Sequence, residues 1–384
     1  MASTSPPAAD RSVPARPGAA GAPAGALGAR RVATGRARTI GIAALVLAMI
    51  ASVFAAAPRA TGPAEVQARA RAVAARAAMR DDREVYRAIV HRVRAGEGYY
   101  PAATAELRGN HFPLKPVLAI RQPTLAWIEA RLGSDLACFV ALLALVIGAV
   151  MAWAVALRRE GAGPRLVAVA ALMTGLANAA GPGSLFLHEA WAGTLVAAAL
   201  ALGEVPIVAA GLMLLAMMIR ETALPFALAA LVVAWVRGER RATLAYAAAI
   251  ALAGAFLAWH WRMAAQAVRA DDPVSPGWIG FRGWALVVDA ARNWNVALTV
   301  LPRPLVAALL PLLLALLWAW RDPRARAAAL GTSGFVAVLP VLGRADNDYW
   351  GVMFAPFLLL GLAGLVARGF TPRRGPARGG GTAG

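Results

Sequence analysis

Long apolar runs separated by short polar turns dominate the chain. Each run approaches the roughly 20 residues that an α-helix needs to cross the hydrocarbon core of a bilayer. The pattern therefore predicts an all-α polytopic membrane protein with about ten transmembrane helices, the shortest of them between residues 165 and 236. The predicted spans cover 39–57, 134–157, 165–181, 185–202, 205–219, 222–236, 242–262, 296–320, 326–342 and 349–367.

Composition supports this prediction and excludes other classes. The 384 residues are 60% hydrophobic and only 15% charged, which is too apolar for a soluble enzyme of this length. The formal net charge of +19 lies in short clusters between apolar runs, not along one groove or helix face, so nucleic-acid binding is not indicated. The single cysteine, Cys138, allows no disulfide within the chain.

The positions of the arginines predict the orientation. Basic clusters precede the first run, and each later cluster follows an even-numbered run, namely the second, sixth, eighth and tenth. Under the positive-inside rule these clusters face the cytoplasm, as do both termini. Residues 1–38 and 369–384 lack hydrophobic periodicity and are predicted to be disordered cytoplasmic tails of a membrane domain over 39–368. Interfacial anchoring is the expected role of the tryptophans at the inner helix ends, Trp153, Trp235, Trp318 and Trp320, and at the outer ends, Trp191, Trp259, Trp261, Trp294 and Trp350.

Two long segments fall on the outer side, at 58–133 and 263–295. In the first, Val85, Ile89 and Val93 recur at a spacing of four, which predicts an amphipathic helix on the membrane surface. Asp82 lies one turn before Tyr86 on this helix, and Asp81 precedes it directly. A carboxylate there is suited to accept a proton; alternatively, acidic residues at a helix start only cap free N–H groups.

Beyond this helix, Tyr99 and Tyr100 begin a long polar loop that continues to Arg121. A guanidinium binds phosphate through two parallel hydrogen bonds and stays charged near lipid, so Arg121 is a candidate phosphate ligand. Arg220 and Glu221 interrupt apolar sequence between two spans. Ionisable residues at that depth indicate function, although a mutual ion pair that closes a tight turn explains them equally well.

Two further polar pieces lie at predicted outer helix ends. His188 and Glu189 start the fourth run, where they could bind phosphate, although a simple cap is the more common role; no metal site is assigned to them. Arg344 precedes the last run and is a further candidate phosphate ligand. Asp346, Asn347 and Asp348 follow it and either hold a sugar by hydrogen bonds or form an ordinary solvated turn.

These features together resemble the C-type (GT-C) polytopic membrane glycosyltransferases, notably bacterial enzymes that use polyprenyl-phosphate sugars. The resemblance rests on one span, then the Asp82-x-x-x-Tyr86 helix, then the Gly96-x-x-Tyr99-Tyr100 segment, then a further run of spans. Many members carry Asp-Glu at the acidic motif, whereas here Arg83 follows Asp82, so the base is Asp82 or Asp81.

The resemblance implies transfer of a sugar, with inversion, from a polyprenyl-phosphate donor to a lipid or cell-envelope glycan on the periplasmic face of a bacterial inner membrane. The implied partners are the lipid-linked donor and membrane lipids, with no nucleic acid; no protein partner is assigned. No cofactor is assigned either, although a divalent cation is compatible with the chemistry. Two alternatives remain: a transporter or flippase of a lipid-linked substrate, and an inactive relative that serves in assembly.

Overall fold

The computed structural model describes residues 24–57, 81–344 and 346–369, with side chains from residue 39 onward. The chain forms two compact units, 1–47 and 48–384. Helices are the dominant secondary structure of the described residues, and two isolated β-bridges are the only extended pairing among them. The predicted all-α class is confirmed.

Sixteen α-helices, α1 to α16, follow in chain order among the described residues. They are Ala24–Ala56, Asp82–Arg94, Tyr99–Gly109, Thr124–Leu132, Asp135–Ala156, Ala162–Leu176, His188–Ala201, Pro206–Ile219, Leu224–Val236, Arg240–Ala267, Trp284–Asn293, Val296–Thr299, Arg303–Ala319, Pro323–Leu342, Ala355–Leu358 and Gly361–Gly369. Short 3₁₀ turns separate several of them, the longest being Asn347–Met353.

Four helices are long and apolar enough to cross a membrane: Thr39–Ala56 within α1, Asp135–Ala156, Arg240–Ala267 and Pro323–Leu342. The pair Asn347–Met353 and Ala355–Gly369, bent by 51°, would make a fifth. These helices indicate a membrane protein, but the predicted count of ten spans is not confirmed. Helices such as α6 and α8 are apolar yet short, about 20 Å at 1.5 Å per residue.

Helix α7 is the centre of the larger unit. All of its residues from His188 to Ala201 are buried, which suits a sequence that is apolar on every face. It packs against α5, α8 and the 3₁₀ segment Asn347–Met353. The last contact requires glycine, because a Cβ on Gly193 would lie 2.8 Å from the carbonyl oxygen of Val352. Polar residues at the start of α7 are therefore held deep inside the protein.

The helices of this unit turn at two opposite ends. At the basic end, Arg324 at the start of α14 donates to the carbonyl of Ala156 at the end of α5 and lies 3.6 Å from Glu204 in the α7–α8 turn. At the polar end, Arg220 after α8 contacts Glu189 at the start of α7. About 20 Å of apolar helix separates the two ends.

Several sequence predictions need correction. Helix α1 begins at Ala24, so residues 24–38 are helical and not disordered, as their high content of alanine and arginine allows; residues 1–23 lie outside the described part, as do 370–384. The second outer segment begins later than predicted, because α10 continues to Ala267.

The tryptophans expected to anchor the membrane interface differ in exposure. Trp235, Trp259, Trp261 and Trp318 are exposed, which is compatible with anchoring, whereas Trp153, Trp191, Trp320 and Trp350 are buried. Trp153 is fully enclosed and donates to the carbonyl of Ala197, 2.9 Å away. Trp191 and Trp350 are 5% and 9% exposed. Each buried indole lies against neighbouring helices, where its large apolar area stabilises helix packing.

Candidate functional site

The predicted amphipathic helix is α2, and one of the two candidate carboxylates, Asp81, caps its N-terminus. Val85 and Ile89 are buried, as the spacing predicts. Asp81 is the N-cap, and its side chain accepts a hydrogen bond from the backbone N–H of Arg83 at 3.3 Å. Asp82 occupies the first turn and lines a polar cavity. The capping alternative thus holds for Asp81, and it leaves Asp82 as the stronger candidate base.

Tyr86 links this helix to the centre of the protein. Its ring packs edge-on against the imidazole of His188, with centroids 5.1 Å apart. Burial raises the pKa of Tyr86 to about 12; the Arg121 guanidinium opposes this rise, and the Asp82 carboxylate adds to it. Tyr86 is therefore protonated at neutral pH, so its hydroxyl can accept a hydrogen bond from a guanidinium and donate one to a carboxylate.

Arg121 is held at the base of the cavity by two tyrosines. Its backbone carbonyl accepts from the hydroxyl of Tyr99 at 2.6 Å, and its Nη2 donates to the hydroxyl of Tyr349 at 3.0 Å. The Arg121 side chain is 14% exposed, and its nearest carboxylate oxygen, on Glu189, is 3.9 Å away. This long ion pair is the one carboxylate contact of the guanidinium within 4.0 Å in the described structure, so hydrogen-bonding capacity remains for an anion.

A buried ion network lies beneath Arg121. The Nε of Arg220 donates to Glu189 at 2.5 Å, and its Nη1 donates to Glu221. Gln122 donates to the second oxygen of Glu221 at 3.2 Å. The predicted Arg220–Glu221 pair therefore exists, but it extends to a third helix through Glu189. The network fixes the ends of α7, α8 and α9 relative to one another.

The segment before the last span forms one wall of the same cavity. The backbone N–H of Arg344 donates to Asn347 at 2.9 Å, and Asn347 in turn donates to the Tyr349 hydroxyl at 3.1 Å. The Arg344 guanidinium lies 4.6 Å from the centre of the Trp278 ring. The segment is thus a turn held by mutual contacts, with Asn347 buried and Arg344 and Asp346 partly exposed. Its role in holding a sugar stays a prediction.

Two cavities meet at this place. The polar cavity has a volume of about 770 Å³, and its walls include nine of the predicted site residues: Asp81, Asp82, Tyr86, Arg121, His188, Glu189, Arg344, Asp346 and Asn347. An apolar groove of about 350 Å³ adjoins it, lined mainly by side chains of α9 and α14 together with Arg220 and Glu221. Arg121 and Trp278 line both, so they mark the junction.

Two predicted residues, Tyr99 and Tyr100, line neither cavity. Tyr99 acts only through the backbone of Arg121, as described above. Tyr100 contacts His260 instead, with 3.1 Å between the hydroxyl and Nδ1, and the other ring nitrogen of His260 lies 3.1 Å from the carbonyl of Ile120. Tyr100 therefore supports the packing of α3 against α10.

The sequence reasoning missed three residues that shape the site: Gln122, Trp278 and Tyr349. Gln122 directly follows Arg121, and Tyr349 lies two residues after Asn347. Their proximity to these predicted site residues was a usable signal. Trp278 lies in an irregular loop after α10 with no periodic pattern, and no sequence feature indicated that it would lie between the two cavities.

Among the described residues, no group of three or more histidine, cysteine, aspartate or glutamate side chains is arranged to hold a metal ion. No family model, curated protein or solved structure matches the chain. Any function must therefore be argued from the site itself.

Proposed function

We propose that this protein is a membrane glycosyltransferase that takes a sugar from a polyprenyl-phosphate donor and transfers it to a hydroxyl of a lipid or cell-envelope glycan. The observation that carries the proposal is the junction of the two cavities. A donor of this class has a polar sugar, a phosphate and an apolar chain in that order. The polar cavity, Arg121 and the apolar groove follow the same order.

The chemistry requires one base and one anion ligand. Asp82 would take the proton from the acceptor hydroxyl, whose oxygen forms the new bond to the anomeric carbon of the sugar. The bond from that carbon to the phosphate oxygen breaks, and the polyprenyl phosphate leaves with the electron pair. The Arg121 guanidinium would stabilise the charge on the departing phosphate. Attack opposite the leaving group inverts the anomeric centre.

A phosphate is already a weak base, so the reaction does not need the second carboxylic acid by which a glycosidase protonates its leaving oxygen. This is consistent with a site that places arginine where such an acid would stand. Asp82 is exposed to solvent, whereas the Arg121 guanidinium is more enclosed. This difference is expected if the acceptor arrives from water and the donor from lipid.

The orientation in the membrane follows from the distribution of arginines between the two ends of the larger unit. The basic end of the larger unit carries the arginine clusters, and the positive-inside rule assigns that end to the cytoplasm. The polar cavity at the opposite end would then open to the periplasm of a bacterial inner membrane. A transporter is less well supported, because its ionisable groups should lie near the middle of the helices and not at their ends.

Purified full-length protein in liposomes tests the proposal when given labelled polyprenyl-phosphate hexoses and pentoses with a glycolipid acceptor. We expect label to move to the acceptor and free polyprenyl phosphate to accumulate. Label that crosses the vesicle membrane while still attached to its lipid would instead establish a transporter. Absence of both transfer and movement with every donor would contradict the proposal.

The apolar groove allows a matched pair of variants on one helix. Val338 lines the groove and is 46% exposed, whereas Val341, on the same helix and 43% exposed, does not line it. We expect Val338→Gln to lower kcat/KM for the lipid-linked donor about fivefold, since it places an amide against the chain at a cost of roughly 1 kcal/mol. Val341→Gln should change it less than twofold; equal effects would indicate that the groove does not bind the chain.

A further inference from the structure

A second cavity lies at the basic end, on the opposite side of the apolar helices from the proposed active site. Its volume is about 620 Å³, and it opens between the ends of α7, α9 and the starts of α8, α10 and α14. Four arginines and two glutamates contribute to its walls: Arg237, Arg240, Arg241, Arg324, Glu204 and Glu239. We name it the basic-end cavity.

Two of these arginines are already neutralised. Arg324 is bound to Asp322, with 2.7 Å between Nη2 and the carboxylate, and it also lies 3.6 Å from Glu204. Arg237 pairs with Glu239 at 2.6 Å. Arg240 and Arg241 have no acidic partner within 4.0 Å in the described part of the chain. The cavity therefore presents two guanidinium groups with unmatched charge.

The position of Arg240 and Arg241 makes this charge unfavourable for the protein alone. They are the first two residues of α10, where the helix dipole is already positive, and no acidic residue occupies that first turn. Glu239 precedes them but makes no side-chain capping bond, since its carboxylate is held by Arg237. An anion bound here would relieve the repulsion and accept hydrogen bonds from guanidinium groups and helix N–H groups.

The surroundings indicate a lipid and not a soluble anion. The inner wall of the cavity is apolar, with Leu200, Ala230 and Val233. On the same helix ends, Trp235, Val236 and Leu244 are 68%, 75% and 70% exposed, so apolar surface continues outward from the cavity into the region of a membrane-spanning helix. A phosphate headgroup in the cavity would leave its acyl chains against this surface.

We infer that the basic-end cavity binds the phosphate headgroup of an anionic glycerophospholipid from the leaflet next to it. The lipid would connect α9, α10 and α14, of which α9 and α14 carry groove residues at their opposite ends. Binding at this site does not depend on the proposed transfer reaction, and its measurement needs no donor or acceptor.

The test uses the full-length protein in detergent micelles, with native mass spectrometry during titration of phosphatidylglycerol or of phosphatidylcholine with the same acyl chains. We expect the wild type to retain phosphatidylglycerol preferentially, and Arg240→Gln with Arg241→Gln to weaken its binding about tenfold or more. The matched control is Arg158→Gln with Arg159→Gln, an exposed pair in the α5–α6 turn that does not line the cavity. Its affinity should stay within about twofold of wild type.

Equal loss in both double variants, or equal retention of the two lipids by the wild type, would overturn the inference, because either result describes general surface charge. Release of phosphatidylglycerol by millimolar inorganic phosphate would also overturn it, since a small anion would then suffice. If the glutamine pair fails to fold, Arg240→Lys with Arg241→Lys keeps the charge and should retain at least half of the wild-type selectivity; loss of selectivity in that folded variant contradicts the inference.

Discussion

The Asp82→Asn variant is expected to lose sugar transfer by about 10²- to 10⁴-fold, the usual contribution of a positioned general base. Asparagine keeps the size and hydrogen-bonding capacity of the side chain but cannot take the acceptor proton. Because Arg121 and the apolar groove are unchanged, binding of the lipid-linked donor should be retained. Single-turnover transfer, measured with saturating donor, separates the loss of chemistry from any change in donor affinity.

Asp81→Asn is the matched control, since it removes the same charge one residue away. Asparagine is as good an N-cap as aspartate, so α2 should remain stable and transfer should fall by less than about tenfold. The opposite pattern, with Asp81→Asn inactive and Asp82→Asn active, would assign the base to Asp81. Full activity in both variants would exclude a carboxylate base at this helix, and with it the proposed mechanism.

Periodicity was sufficient to predict the parts of the fold that depend on local sequence. The spacing of Val85 and Ile89 predicted α2 and its buried face, and the apolar runs predicted every long helix among the described residues. Length was less informative where spans are short, because helices such as α6 and α8 reach only part of the bilayer thickness and their membrane position depends on neighbours.

The composition of the site was predictable, but its connectivity was not. Charged residues in apolar sequence pointed to Arg220 and Glu221, since such residues are costly without partners, and the position at an outer helix end pointed to Glu189. The sequence could not indicate that Arg220 pairs with Glu189, which lies 31 positions away. Nor could it indicate that Trp278 separates the two cavities. Both facts depend on how α7 packs at the centre of the larger unit.

This buried network gives the second large expected effect. Arg220→Met should destabilise the protein by about 3–5 kcal/mol, because it leaves the Glu189 carboxylate buried with Arg121 as its nearest cation, 3.9 Å away. Arg220 and Glu189 are 3% and 1% exposed, so water cannot replace the lost partner. Denaturation in mixed micelles, followed by circular dichroism, measures the change. Glu221→Gln is the control: its side chain is 39% exposed, and a loss below about 1 kcal/mol is expected.

A double variant distinguishes a cost of unpaired charge from a general loss of packing. Arg220→Met combined with Glu189→Met removes both charges and fills similar volume, so most of the stability lost in Arg220→Met should return. Transfer should not return with it, because Glu189 and Arg220 together fix the helix ends around Arg121. If stability stays low in the double variant, the pair acts through packing and not through its charges. If both stability and transfer recover, the network has no part in positioning Arg121.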